Sequence, residues 1–324
     1  MGVQAVVAVD VGGTTIKAGL LTERGPTSFR RLPTGAREGA DAVVERIVEL
    51  TAELAALTGP CSGGAFDIVG VGVVVPGIVD EAAGVARLAV NLGWQDVDLR
   101  DRLARRVRQP VAVGHDVRAG ALAEARWGAG AGAPSALFVP IGTGIAAALV
   151  VAGQVHPGAA FQAGEIGQVH VGEGTLETIA SGRSIAARYA ALGGVDDDGA
   201  PVSAATVVRR SGLGDERATA VWGEAIESLA DVLASAVAMV DPAVIIIGGG
   251  LSRAGAALLD PLRAGLTTRL PWRSPPILRS ARFGDGAGWV GAALLARAAV
   301  GLHSDDKIGE VVAQCFAAAQ GGTA

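Results

Sequence analysis

The stretch AVDVGGTTIKAG, residues 8–19, decides the reading of the whole chain. A hydrophobic strand runs into a carboxylate, Asp10, then into a glycine-threonine turn, and a second strand follows at once. The strand, glycine-threonine turn and second strand, without the carboxylate, return at 135–151, SALFVPIGTGIAAALVV. Each copy leads its own half of the chain, which predicts two related α/β halves whose turns face each other across a cleft. Glycines let backbone N–H groups approach an anion closely, and a neighbouring threonine adds a hydroxyl donor. Gly12, Gly13, Thr14 and Thr15, and Gly142, Thr143 and Gly144, are therefore candidate phosphate cradles. Taken singly, each is also what a plain hairpin turn looks like. Asp10 likewise reads two ways, as a Mg²⁺ ligand through water or as an acceptor for turn amides.

Working outward, a helix is expected from about Asp41 to Ala56, and a buried strand broken at Pro76-Gly77. The segment HDVRAGALAEARWGAG, from His115, reads as strand end, short turn and helix. It sets His115 and Asp116 where a carboxylate can sit on a cleft floor or cap a helix. Glu165, between glycines, and Glu177, near a helix start, are further candidates; capping or solvation would also account for them. A long helix should end near Asp241-Pro242, followed by a Val/Ile strand, the glycines Gly248, Gly249 and Gly250, and a helix from about Ala254. The acidic run Asp196 to Asp198 reads as a solvated loop, and the tail from Gly301 as a peripheral, partly helical appendage.

Composition narrows the class. The 324 residues are 50% hydrophobic, enough for two cores, and carry a net charge of −5 with no basic stripe, so neither nucleic acid nor a membrane surface is an expected partner. The 48 glycines and few aromatic residues favour backbone-lined sites over stacking platforms. Two cysteines, Cys61 and Cys315, make no framework and fit a reducing cytoplasm. Neither a signal peptide nor a transmembrane helix is read. The four histidines, His115, His156, His170 and His303, have no metal-helix spacing.

In this order the motifs resemble those of the ROK family (repressors, open reading frames and kinases), most closely its bacterial glucokinases, over about residues 5–298. The carriers are DVGGTTIKAG, VVVPGIVD, NLGW, HDVRAGALAEARWGAG, IGTGIAAAL, GEIGQ, LETIASG, IIIGGGLS, LLDPLR and GAGWVGAALLAR. The resemblance implies a two-lobed actin-like ATPase (ribonuclease H-like) fold, an α/β architecture with a duplicated core and an interdomain cleft. One lobe would span 1–114, with about 290–324 packing back on it, and a larger one 115–289. It implies an ATP-dependent, Mg²⁺-requiring hexose kinase acting on the 6-hydroxyl, with glucose the leading substrate and an amino sugar or other modified hexose the alternative; a homo-oligomer is compatible with it. Asp116 would be the general base. Asp10, Gly12 to Thr15 and Gly142 to Gly144 would meet the ATP phosphates, and Gly248 to Gly250 would lie beneath the adenosine. Gly77, Asn91, His115, Glu165, Gln168 and Glu177 would lie in or beside the sugar pocket.

Departures from the family pattern are as telling. His115 and Arg118 replace asparagines on either side of the base, Gln168 replaces the histidine of Glu-x-Gly-His, and Thr15 replaces a lysine, with Lys17 two residues on. The cysteine-rich zinc loop is missing, Thr175 standing where its last cysteine would be, so no structural zinc is expected. Regulators of the family carry a helix-turn-helix ahead of this domain, for which the nine residues before Asp10 leave no room.

Overall fold

The computed structural model describes residues 2–57, 66–196, 199–302 and 306–321. Cys61, Asp197, Asp198 and His303 lie outside the described residues. The first half runs through β1 (Val3–Val11), β2 (Thr15–Thr22), β3 (Gly25–Pro33), α1 (Ala40–Ala55) and β4 (Phe66–Val75). A small sheet of β5 (Ile78–Asp80), β6 (Val85–Ala89) and β7 (Trp94–Val97) follows, then α2 (Leu99–Ala104) and β8 (Val111–His115). Helix α3 (Asp116–Trp127) leads into β9 (Ser135–Pro140), β10 (Ala148–Val151) and β11 (Gln154–Val155). Beyond the short ribbon β12 (His170–Val171) and β13 (Gly174–Thr175) come α4 (Leu176–Ala180), α5 (Gly182–Ala191), α6 (Ala204–Gly212) and α7 (Glu216–Val240). The chain closes with β14 (Val244–Gly248), α8 (Ala256–Arg269), β15 (Ile277–Ser280), α9 (Ala287–Ala299) and α10 (Asp306–Gly321).

The duplication suggested by the two turns is carried by the sheets. Their strand orders are β3-β2-β1-β4-β8 and β11-β10-β9-β14-β15. In each, the leading strand pairs antiparallel with the second and parallel with the fourth, and the fourth pairs parallel with the fifth. The two sheets thus share one topology.

Strand periodicity then divides the core into three. On β1, Ala5, Val7, Val9 and Val11 join the residues of α1 and β4, whereas Val6 and Ala8 face a central core with α3 and α9. On β9, Leu137 and Val139 face α7 and Ala136 and Phe138 face the same central core. A strand buried on both faces reads as a continuous apolar run, and this one does. Period two puts Asp10 in the set of Val6 and Ala8, toward the middle of the molecule. Helix α9 lies close against β4: a Cβ on Gly72 would sit 1.9 Å from the carbonyl oxygen of Ala292.

Four local expectations need adjusting. No turn separates β8 from α3, because His115 itself caps the helix. The strand after Gly144 begins only at Ala148, Ile141 and Ile145 making an isolated bridge across the turn. A 3₁₀ segment fills Gly250–Ala254, and α8 starts at Ala256. Asp196 is not simply solvated: its carboxylate accepts from Arg209, at 3.0 Å, and from Thr206.

The tail is not a peripheral appendage either. Helix α10 buries Ile308, Val312 and Ala313 fully or nearly so against the central core. Phe316 stacks edge-on to Phe283, with ring centroids 5.7 Å apart, and lies 6.3 Å from the Trp289 ring. Residues spaced three and four apart on an alanine-rich helix are enough to dock it once an aromatic gap awaits them. Phe316→Ala is expected to destabilise the protein by about 1–3 kcal/mol, less than a fully buried phenylalanine because Phe316 is only partly enclosed. Urea unfolding of wild type and variant checks this.

Candidate active site

Asp10, next to last on β1, pairs with Lys17 on β2, so their side chains share a face of the sheet. Lys17 Nζ lies 3.6 Å from Asp10 Oδ2 and also donates to the carbonyl of Asp285. Asp285 Oδ2 accepts from Arg31 at 3.1 Å. Burial raises the Asp10 carboxyl above its ordinary value, with Lys17 acting against the rise. Asp285 is also penalised by burial, yet Lys17 and Arg31 hold it below the usual carboxylate range. The loop bearing Asp285 is anchored by buried Glu124 of α3, which accepts from the amides of Ala129, Arg282 and Phe283. Gly288 closes the group: a Cβ there would lie 2.8 Å from Asp10 Oδ1.

The first turn is held from inside. Gly12 N–H donates to Thr15 O at 2.9 Å, and Thr34 donates its hydroxyl to Gly12 O and its amide to Thr14 O. The second turn repeats this economy, Gly142 N–H donating to Gly144 O at 2.9 Å. Both glycine amides are therefore spent on the turns themselves, leaving Gly13, Thr14, Thr143 and Gly144 as candidate amide donors, with the threonine hydroxyls. Glu177, from α4, braces the second turn by accepting from Ile145 N–H at 2.9 Å. A Cβ on Gly144 would fall 2.4 Å from that carboxylate, so a side chain there would push Glu177 off the turn.

Gly248 to Gly250 pack against the second turn. Ile141 and Gly248 share a backbone hydrogen bond, Leu251 N–H returns to Ile141 O, and Gly249 adopts φ 72° with no space for a side chain. An open cleft of about 790 Å³ adjoins them, lined among others by Gly142, Thr143, Arg183, Ser203 and Gly250. Arg183, in the first turn of α5, was not singled out by sequence reading. Its signal was its place just after Ser181, the N-cap of a helix pointing at the turn.

Asp116 opens α3, and a quarter of its side chain remains exposed. Burial, followed by the charge of Asp10, pushes its carboxyl up to about 7. His115 is almost fully buried, and its Nδ1 accepts from Arg118 N–H at 3.3 Å. Burial, then the Arg118 cation, pushes its imidazole down to about 3, so the ring is neutral and its proton sits on Nε2. That Nε2 stands 3.5 Å from Asp116 Oδ1. His115 thus caps the helix and faces the carboxylate, and does not offer a sugar both a free donor and a free acceptor.

Arg118 and Glu81 are the residues sequence reading undervalued. The guanidinium of Arg118, buried, donates to Glu81 Oε1 at 3.0 Å, to Val79 O at 2.7 Å and to Phe161 O at 3.0 Å. Glu81 Oε1 also accepts from His115 N–H at 3.0 Å. Glu165 follows in the loop after Phe161; burial, then the nearby charge of Glu177, raises its carboxyl, and Arg118 acts against the rise. The structure therefore gathers Asp10, Asp116, Arg118, Glu165 and Glu177 into one electrostatic neighbourhood. Asn91 sits beside Gly13, at the first turn. Gly77, at φ 98°, makes the β4–β5 turn, where a Cβ would meet the Leu88 carbonyl at 2.1 Å. Gln168 ends the 3₁₀ turn after Glu165, and among the described residues no hydrogen bond joins its side chain to this group.

A partly exposed carboxylate with an affinity for protons near neutrality, at the start of a helix and within the field of Asp10, is suited to take a proton from a hydroxyl. Among the described residues no group of three or more His, Cys, Asp or Glu side chains could hold a metal, and no helix is long and apolar enough to cross a membrane.

Two sheets of one topology, each with its glycine-threonine turn, define a two-domain actin-like ATPase fold. The chain belongs to the ROK family, which it matches over residues 6–299. It is 31% identical to a glucokinase of Halalkalibacterium halodurans over 90% of this chain and 94% of that one. Among solved structures it is similar to a ROK family glucokinase from Streptomyces griseus in complex with glucose and AMPPNP, with TM-score 0.75, 28% identity, and 91% and 99% of the two chains covered. It is equally similar to a ROK hexokinase from Thermus thermophilus, with TM-score 0.75, 31% identity, and 92% and 99% covered.

Proposed function

We propose that the chain is an ATP-dependent hexose kinase that transfers the γ-phosphate to a sugar 6-hydroxyl, with glucose the leading substrate. The observation that carries this is Asp116: a carboxylate at the start of α3, raised to about 7 by burial and by the charge of Asp10 beside the first glycine-threonine turn. In this reading Asp116 Oδ accepts the proton of the attacking hydroxyl as the oxygen bonds to phosphorus, and the bridging oxygen leaves with ADP. The amides and hydroxyls of Gly13, Thr14, Thr143 and Gly144 receive the phosphates, and Lys17 sets a positive charge beside them. The cleft beside Gly250 receives the adenosine. Glu165 and Glu177 accept hydrogen bonds from sugar hydroxyls, Glu177 through the oxygen that Ile145 does not use.

Asp10 fits Mg²⁺, a hard cation that binds through one or two carboxylates, waters and substrate phosphates, since it is a buried carboxylate with a side-chain-free wall at Gly288. When bound, the ion would neutralise charge on the transferring phosphoryl group.

A second reading, an amino-sugar or other modified-hexose kinase, rests on Gln168 replacing the family's histidine. The deciding measurement is kcat/KM with ATP for glucose, mannose, galactose, glucosamine and 3-amino-3-deoxyglucose, on wild type and on the His115→Asn, Gln168→His double variant. Glucose is expected to lead, and because His115 is committed to the helix cap, the double variant is expected to alter the ranking through position 168 alone, by about 1–3 kcal/mol for each hydroxyl mismatched. No turnover of any hexose by wild type would sink the kinase reading; an amino sugar preferred over glucose would select the second.

A further inference from the structure

Arg118 is a buried cation at the boundary of the two halves, in a chain whose family pattern carries a short amide at that place. Its side chain is 3% exposed. Burying a guanidinium costs several kcal/mol unless its donors are met, and here three acceptors from two different parts of the chain meet them. Val79 and Glu81 belong to the segment that leaves the first sheet through β5. Phe161 belongs to the loop that leaves the second sheet through β11 and carries Glu165. An asparagine on α3 has two donors on a short stem and could not reach both sides; the five-donor planar fork can.

The loop it reaches is otherwise built from its own backbone. Ala163 N–H donates to Pro157 O and Glu165 N–H to Gln162 O, while Phe161 takes a left-handed φ of 60°, uncommon for a residue with a side chain. Farther along, Ala147 N–H donates to Gly164 O at 2.7 Å, fixing the loop's far end to the second half. Its near end is fixed to α3 by Arg118. Because α3 begins with Asp116, one helix sets both the base and the approach of the loop bearing Glu165.

We propose that Arg118 is a positioning residue that straps the 157–165 loop to the Val79–Glu81 segment and so assembles the sugar side of the cleft before sugar arrives. This rests on reading the cleft as that of a hexose kinase. The strap acts on sugar capture and not on the nucleotide, whose cleft takes none of its lining from Arg118, the Val79–Glu81 segment or the 157–165 loop.

The experiment uses the full-length protein and the variants Arg118→Asn, which restores the family's residue, and Arg118→Lys, which keeps the charge and loses the fork. Two readouts are taken: KM for glucose and for ATP, and the rate of chymotrypsin cleavage after Phe161, followed by mass spectrometry in the native state. For Arg118→Asn the sugar KM is expected to rise about tenfold or more, consistent with the loss of the guanidinium's charge-assisted hydrogen bonds, while the ATP KM stays within about twofold. Cleavage after Phe161 should accelerate about tenfold or more, because a released loop samples open states more often. Arg118→Lys should show both effects at reduced size, and it decides alone if the asparagine variant does not fold. Wild-type cleavage and sugar KM in the folded variants, or sugar and ATP KM rising in step, would overturn the strap. If wild type turns over no hexose, the kinase reading fails instead, and the cleavage rates still decide whether Arg118 holds the loop.

Discussion

Asp116→Asn is expected to lower kcat for hexose phosphorylation by about 10²–10⁴-fold, the usual worth of a positioned general base. An amide keeps the shape and can still accept from Val117 N–H, as Oδ1 does now at 2.7 Å, but it cannot hold the hydroxyl proton. The wild-type rate should climb as pH rises toward about 7 and level off above it, since only the ionised carboxylate serves as base. Stability moves the other way. The folded protein holds this proton more tightly than the unfolded chain does, so Asp116 contributes a penalty that grows between its ordinary 3.8 and about 7 and is complete above. The asparagine variant escapes it, and its Tm at pH 8 is expected to exceed that of wild type. More than about a tenth of wild-type kcat in the variant, with chemistry limiting, would require another base.

Gly291→Ala is the second large effect. Helices α3 and α9 meet where a Cβ on Gly291 would lie 2.1 Å from the carbonyl oxygen of Ala119. Backbone faces backbone there, so neither side can yield by a rotamer change, and the helices must move apart by about an ångström or more to reach ordinary contact. The expected destabilisation is about 1–3 kcal/mol or beyond, the range for overpacked cores. Ala119 lies one helical turn beyond Asp116, so kcat should fall too, even well below the melting temperature. Unchanged Tm and kcat together would mean that the helices accommodate the methyl group.

Much of this was legible in the sequence because the decisive features are local. A strand, a glycine-threonine turn and a second strand, twice over and the first time with a carboxylate, are written in period two and in residue size, and they suggested the duplicated fold. Resemblance across ten motifs supplied the family. What stayed hidden depends on distant partners. Nothing near Arg118 shows that it meets Phe161, and nothing near Glu124 shows that it holds the loop of Asp285. The family pattern sets His115 in the sugar pocket, and nothing in the motif shows that its Nδ1 also caps α3. The tail looked expendable because alanine carries little signal until Phe316 finds Phe283 and Trp289.

The central core has a consequence for how the chain is made. The inner face of the first sheet, Val6, Ala8 and Val74, is covered by α9, which leaves the ribosome after most of the chain. Until then a nascent first half carries one finished face and one bare one, joined by strands that are already paired. Its last layer waits on residues from the opposite end, and contacts that distant in sequence are slow to form and exposed to wrong partners in the meantime. The two halves share a topology, but neither completes itself: each sheet lends one face to a common filling, and the order of synthesis makes the first half wait for the second.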